Sequence, residues 1–541
     1  MIEGYCTTWR SDGSPGIPMS VGPGETVKFH ISSDRNYTVD YIRLRSPADV
    51  FQPGDPLMPS LSRSAATQSV PPAYAWQGFG WSSDNFPPLQ IPPFEPSDGA
   101  NTWKSGYYAA RCCSDDGSDF YIPFVVRPSK EDVAGRYKRF AMLASTLTWN
   151  AYNPRGGRSQ YYDGKSEVTL GFERPFPFAR PCGPYLPIPG TPTDAYYASW
   201  DPEFNSRHTL RADLWLASWL EDPPRNYQVD LFTDLDFHIG EFNPADYAGL
   251  ILATHPEYWT VEMRDRLDQY LSEAGSLVYL GGNGLFERVE FPLDFSKMRV
   301  SGRGPGPGFG NRWLFRFMSR PERSVLGVAY ESRSGSGPYF TRAADHRFFA
   351  KTGLEGQYNK PFGQSGLTSP AGGDGTQGAG RACGWEVDTS ATVDDDSAPL
   401  CTTVLAASAG ESEDACQMVA VEDCHRGCLV YSVGSLCYGG SLVQDEVLDR
   451  ILQNVLGECI LIATLRHELP MLRWLLELTH IWPPEITPPR PPEGPDWRLL
   501  EDFLADSRPD SIQAVLGRAI HPAFKGERLK AAALQMLRDR F

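Results

Sequence analysis

Apolar and polar positions alternate along Glu25-Thr-Val-Lys-Phe-His-Ile-Ser, directly after the turn signal Gly22-Pro23-Gly24. A period of two is what a strand with one buried face requires, so this segment predicts a half-buried strand. Gly106-Tyr-Tyr-Ala-Ala-Arg and Tyr121-Ile-Pro-Phe-Val-Val predict a hairpin across the acidic turn Ser114-Asp-Asp-Gly. Strands separated by Gly and Pro turns point to an antiparallel β-sandwich of Ig-like form over residues 1–130. A stretch rich in Pro, Ser and aromatics, from about residue 50 to 100, interrupts it and reads as a long loop or insertion.

The pattern changes after Val126-Arg127-Pro128. Phe140-Ala-Met-Leu-Ala-Ser-Thr is a continuous apolar run, as in a strand buried on both faces. Ala212 to Leu220 patterns as a helix, and Tyr227-Gln-Val-Asp-Leu-Phe-Thr and Tyr247-Ala-Gly-Leu-Ile-Leu-Ala-Thr as strands. Met263, Leu267, Tyr270 and Leu271 fall at i, i+4, i+7 and i+8, one apolar stripe on a helix that Gly275 is placed to stop. Ser276-Leu-Val-Tyr-Leu then runs into Gly281-Gly-Asn-Gly. Strand, helix and strand in this order predict a parallel α/β layer, here spanning 131–459. Its Gly-rich part, about 290–400, reads as long excursions that return through Gly427-Cys-Leu-Val-Tyr-Ser-Val-Gly. Leu442 to Leu456 and Leu469 to Leu478 pattern as helices. Pro483 to Pro495 forms a Pro-rich linker and Trp497 to Phe541 holds further helices, so 460–541 is a helical extension. The expected class is a multidomain α+β chain.

Composition narrows the function classes. The 541 residues leave room for several cores. A formal charge of −17 argues against a nucleic-acid partner, which needs clustered Lys and Arg to neutralise phosphates. The start Met-Ile-Glu-Gly-Tyr-Cys has no basic stretch followed by an apolar run, and no apolar run is long enough to span a bilayer. The expectation is a soluble cytoplasmic protein with no membrane partner. Eleven scattered Cys then read as free, buried thiols, and Cys424-His425-x-x-Cys428 lacks the second ligand pair of a zinc site.

In an open parallel sheet, ligands bind where loops leave the carboxyl ends of the strands. Leu250-Ile-Leu-Ala-Thr delivers His255-Pro256-Glu257-Tyr258-Trp259 to that edge, and Leu277-Val-Tyr-Leu delivers Gly281-Gly-Asn283-Gly beside it. A His and a carboxylate two residues apart can supply a metal ligand and a proton-transfer partner. The structural alternative is that Glu257 opens a helix while His255 and Trp259 merely pack. Tyr152, in Trp149-Asn-Ala-Tyr-Asn-Pro-Arg-Gly-Gly-Arg, reaches the same edge or packs as an ordinary aromatic. Glu386 and Asp388 have the period of a strand face, and their plain reading is a solvated edge. Gly164-Lys165-Ser166 follows Ser159 where a phosphate loop needs Gly, and there is no Gly-x-Ser-x-Gly elbow.

Taken in order, several segments resemble the large (beta) subunit of the N,N-dimethylformamidase family. They are Trp149-Asn-Ala-Tyr-Asn-Pro-Arg-Gly-Gly-Arg-Ser, Phe232-Thr-Asp-Leu-Asp, His255-Pro-Glu-Tyr-Trp, Gly281-Gly-Asn-Gly, Gly384-Trp-Glu-Val-Asp and Tyr431-Ser-Val-Gly-Ser. Pro23-Gly-Glu-Thr-Val-Lys-Phe and Trp103-Lys-Ser-Gly-Tyr-Tyr-Ala-Ala-Arg extend the likeness to the front, so that it spans about residues 2 to 459. The resemblance implies a glutamine-amidotransferase-like central domain, hydrolysis of a small amide, and a mononuclear Fe(III) held by two tyrosinates and a carboxylate. Carried over, the carboxylate is Glu257 and the first tyrosine Tyr152. The second is Tyr197 or its neighbour Tyr196. His255, Asn283 and Glu386 match positions close to the metal and are the expected catalytic groups. A homo-oligomer is expected. The competing class is a non-catalytic ligand-binding module of the same α/β type, and a third is a structural assembly protein. The family's inserted lectin-like sandwich has no counterpart here beyond the Pro-rich stretch, and its separate small helical subunit leaves the role of the tail open.

Overall fold

The computed structural model describes residues 1–45, 56–93, 103–161, 167–181, 208–301, 313–330, 336–364, 381–384, 386–390, 399, 401–408, 416–423 and 427–478. Two sheets build the N-terminal part. Strands β1 (Ile2–Trp9), β3 (Thr26–Ser33) and β6 (Leu89–Gln90) form one; β2 (Ser20–Val21), β8 (Asp119–Val126), β7 (Gly106–Ser114), β4 (Tyr37–Arg43) and β5 (Leu61–Arg63) form the other. The alternation in β3 is realised, with Val27, Phe29 and Ile31 turned into a core shared with Val39, Tyr108, Ala110 and Phe124. β7 and β8 pair antiparallel from Gly106↔Val126 to Cys113↔Asp119, the hairpin expected from the pattern. The Pro-rich stretch is a working part of this unit, because β5 and β6 each add a strand to a sheet edge.

β7 also explains how this unit meets the next. Tyr108 and Ala110 fill the N-terminal core, whereas Tyr107 and Ala109 point the other way and pack with Met142, Trp149 and Leu214. Successive strand residues face opposite sides, so one strand serves two cores.

The second unit is a nine-stranded mixed sheet. Its parallel half runs β11 (Val229–Thr233), β9 (Phe140–Ala144), β12 (Gly249–Leu252), β14 (Ser276–Tyr279) and Cys428–Ser432. Gln417–Asp423, Thr402–Ser408, Tyr339–Thr341 and Pro361–Phe362 continue it antiparallel. In β9, Phe140, Met142 and Ala144 face one side while Ala141 and Leu143 face the other, and all five are fully buried. Helix α2 (Leu210–Glu221) covers the first side. On the second lie α3 (Asp234–Ile239) and α4 (Val261–Ser272), with Met263, Leu267, Tyr270 and Leu271 as the buried stripe. A four-stranded sheet, β10 (Val168–Gly171), β16 (Lys297–Val300), β15 (Glu287–Glu290) and β13 (Tyr258–Trp259), sits beyond the carboxyl end of β12.

Three expectations change in detail. At the end of α4 the left-handed residue is Ala274 (φ 65°), not Gly275; Gly275 is needed because a Cβ there would meet Tyr270 O at 2.6 Å. Leu442 to Leu456 and Leu469 to Leu478 are not separate helices, since α5 runs without a break over Glu446–Leu478. Leu448, Ile451, Leu452, Val455, Cys459 and Ile462 are buried at three- and four-residue spacing, and that packing carries the helix through Gly457. Glu257 opens no helix, because the N-cap of α4 is Thr260, whose side chain accepts from Met263 N at 3.1 Å. The tail beyond 478 and Cys424 and His425 lie outside the described residues, while Cys428 is buried. Among the described residues, no helix is long and apolar enough to cross a membrane.

Candidate active site

β9 leads directly into helix α1 (Thr146–Tyr152), a one-residue turn that puts Tyr152 past the carboxyl end of the parallel strands. The segment after it is held by Arg174, which is buried. Its guanidinium donates to the carbonyls of Asn150, Asn153, Arg155, Arg158 and Gly171 and to Asn150 Oδ1, at 2.6–3.1 Å. Among the described residues no carboxylate pairs with it, and burial pushes its pKa down to about 9.

The loops leaving the neighbouring strands are knitted together by backbone bonds. Gly282 N donates to Thr254 O (3.2 Å), Ser435 N to Gly281 O (2.8 Å), and Leu285 N to Pro256 O (2.8 Å). Phe286 N and Glu287 N both donate to Glu257 O, which continues into the parallel pair Tyr258↔Glu287. Gly281 and Gly282 are required by this closeness: a Cβ would lie 1.8 Å from Thr254 O in the first case and 2.2 Å from Glu386 O in the second.

What these loops bring together is a cluster around one carboxylate oxygen. Glu257 is fully buried, and Tyr161 Oη donates to its Oε2 at 2.6 Å while Tyr152 Oη donates to the same atom at 3.4 Å. The two phenol rings lie 3.9 Å apart between centroids, and Tyr258 Oη donates to Tyr161 Oη at 3.0 Å. His255 Nε2 is 3.4 Å from Glu257 Oε2 and 2.9 Å from Glu386 Oε2. Asn283 Nδ2 donates to that same Glu386 oxygen at 3.0 Å, and its Oδ1 is a buried acceptor without a hydrogen-bond partner among the described residues. Tyr152, His255, Glu257, Asn283 and Glu386 are thus one contiguous set, drawn from four separate segments. Tyr197 and Tyr196 lie outside the described residues.

Electrostatics follow from burial and from this pairing. Burial alone would depress the His255 imidazole, but Glu386 and Glu257 beside it outweigh that and raise its pKa. Burial lowers His208 well below the usual range, helped by the neighbouring His255. The solvated-edge reading of Glu386 and Asp388 does not hold. Asp388 is buried, accepting from Tyr279 Oη and Asn283 N at 2.9 Å each, and burial pushes its carboxyl up to about 7. Glu386 leaves the strand conformation altogether, at φ 48°.

Sequence reasoning missed two residues here. His208 packs its ring 4.5 Å from Tyr152 and 4.8 Å from His255. Tyr161 follows Tyr152 by nine residues, and only the turn organised by Arg174 folds it back; no local pattern announces that. Elsewhere, a cavity of about 660 Å³ opens between Arg10, Arg127, Glu241 and Arg266, but its central cation is already matched by Glu25, Asp236 and Glu241.

The matching family model is described as "N,N-dimethylformamidase beta subunit-like, C-terminal", and it covers residues 67–449, most of the chain. The chain belongs to this family. An N,N-dimethylformamidase beta subunit from Alcaligenes sp is 27% identical over 210 residues, which are 35% of this chain and 26% of that protein. The alignment therefore takes in about a quarter of that relative's length. The cluster at Glu257 lies inside the matched region.

Proposed function

We propose that this protein hydrolyses a small N-substituted, formamide-like amide to a carboxylic acid and an amine, using a mononuclear ferric ion held by Tyr152, Glu257 and a second tyrosine. The observation that supports this reading is the convergence of two phenols on one oxygen of a fully buried carboxylate. Phenolate and carboxylate are hard anionic oxygen donors suited to ferric iron. In this reading Tyr161 supplies the second phenol, and Tyr197 or its neighbour Tyr196 is the alternative that the family resemblance names; Phe variants at these positions separate them.

The bound ion would act as a Lewis acid toward the amide carbonyl or a water. This chain's residues do the rest. Glu386, between His255 Nε2 and Asn283 Nδ2, is placed to take a proton from the attacking water and return it to the leaving amine. His255 Nε2, 2.9 Å from Glu386 and 3.4 Å from Glu257, is placed to orient both carboxylates, which in turn favour its charged form. Asn283 Oδ1 offers an acceptor to the water or to the amine as it becomes protonated.

Within the same reading, the N-terminal sheets form an Ig-like domain of residues 1–130 and the parallel sheet a glutamine-amidotransferase-like domain of 131–459. The helical part then begins inside α5. An oligomer is proposed because the relative is, by its name, a subunit. The test is iron content, a visible tyrosinate-to-iron absorption band and amine release from formamides, in the wild type and in Glu257→Ala. Loss of iron and activity together is expected. A folded, colourless, iron-free wild type that still binds small amides without turning them over would favour the ligand-binding alternative.

A further inference from the structure

Asp388 takes no part in the reaction just described, yet the groups that do are arranged around it. Its carboxyl Oδ1 accepts from Asn283 N and its Oδ2 from Tyr279 Oη, both at 2.9 Å. Tyr279 Oη in turn accepts from Gly284 N at 2.8 Å. One carboxyl and one phenol therefore satisfy two successive N–H groups of the turn after β14. A concave run of backbone N–H groups ordinarily attracts an anion from outside. Here the protein fills it with its own carboxylate.

The consequence falls on Asn283. With its backbone N–H donating to Asp388, it adopts φ 51°, a left-handed conformation that Asn takes more readily than other L residues. Its carboxamide is then directed to Glu386. Glu386 is itself left-handed, at φ 48°, two residues before Asp388. Asp388 is fixed in place by its N–H donating to Gly434 O at 3.0 Å, by antiparallel pairing with Tyr330, and by the bridge Val387↔Ser435 next to it. Two left-handed residues that face each other thus share one anchor.

We propose that Asp388 is a positioning residue that sets the Asn283–Glu386 pair in register for amide turnover, an inference that rests on the function proposed above. Its hydrogen bonds go to Tyr279, Asn283 and Gly434 and not to a proposed iron ligand. Its loss should therefore reduce turnover without releasing metal.

The test uses the full chain with N,N-dimethylformamide as probe, comparing wild type, Asp388→Asn, Asn283→Ala and the double variant. Asp388→Asn should retain iron and the tyrosinate band, keep KM within about twofold, and lose roughly a hundredfold in kcat, the usual size for an ångström-scale misplacement. Because both residues act through one pair, the double variant should be no slower than Asn283→Ala alone. A kcat within twofold of wild type, additive losses, or loss of iron with activity would each overturn the inference. If Asp388→Asn does not fold, Tyr279→Phe removes one of the two contacts and keeps the ring; a smaller kcat-specific loss is expected, and unchanged turnover overturns the proposal. A crystal structure of Asp388→Asn, or of Tyr279→Phe in its place, reads the position directly, with Asn283 Nδ2 expected out of reach of Glu386. An unmoved pair overturns the inference whether or not the wild type hydrolyses amides, whereas an inactive wild type counts against the proposed function.

Discussion

Replacing Gly282 with Ala tests how closely the loops of the site are set. The added Cβ would stand 2.2 Å from Glu386 O, where real Cβ contacts stay beyond 3.0 Å, and 3.1 Å from Leu436 N. Both opposing atoms are backbone, so no side chain can swing aside and the two segments must part by most of an ångström. Overpacking of this kind typically costs about 1–3 kcal/mol. Glu386 makes its contacts to His255 and Asn283 at 2.9 and 3.0 Å, and a shift of that size takes both beyond hydrogen-bond range. Turnover should then fall by roughly a hundredfold. The assay is amine release at saturating formamide with iron content matched to wild type, beside a urea melt. Gly457→Ala is the control: a Cβ there meets nothing within 4 Å, and in mid-helix it should add about 1 kcal/mol of stability and leave turnover unchanged. A Gly282→Ala enzyme with wild-type turnover and an unshifted melt would refute the claim that Glu386 is held by backbone contact at this point.

Other expectations follow from the same geometry. Tyr161→Phe removes the 2.6 Å contact to Glu257 and should weaken iron binding by about ten- to a hundredfold, seen as a bleached visible band at limiting iron; an unaltered band would place the second phenol elsewhere. Asp388, raised by burial to about 7, favours its protonated form in the fold, so the wild type should lose stability as pH rises from roughly 4 to 7, by at most about 4 kcal/mol. The Tm of Asp388→Asn relative to wild type should therefore climb across that window, and parallel curves would contradict the assignment. Arg155→Met leaves Glu3 buried without its 2.5–2.7 Å partner and should cost about 3–5 kcal/mol in denaturant melts, while the double variant Glu3→Gln/Arg155→Met should recover part of it.

The parts of this molecule legible in the sequence are those governed by short-range periodicity. β3 and α4 follow from spacing alone, and β9, β12 and β14 from continuous apolar runs, because burial on one or both faces writes itself into neighbouring residues. The crevice was legible for the same reason: His255, Glu257 and Asn283 follow the ends of adjacent parallel strands. Glu386 and Tyr152 needed the family likeness, since neither carries a local signal. What escaped was decided at long range. Asp388 looks solvated until Tyr279 and Asn283 are folded over it, and Tyr161 looks like a loop residue until Arg174 turns its segment back. Leu442 to Leu456 and Leu469 to Leu478 read as two segments, whereas the buried face of α5 carries one helix through Gly457.

The cradle that Arg174 forms also bears on the order of folding. Its partners span Asn150 to Arg158, and the strand just before it, Val168–Gly171, pairs with Lys297–Val300, far along the chain. Pairing across so long a separation forms more slowly than local helices and hairpins. Tyr152 and Tyr161 should therefore reach Glu257 late, once that pairing holds the Arg174 segment in place. A cation added to the unfolded chain has no preassembled grip and cannot template the fold; it should accelerate neither collapse nor sheet formation, and should slow only the final unravelling of the finished protein.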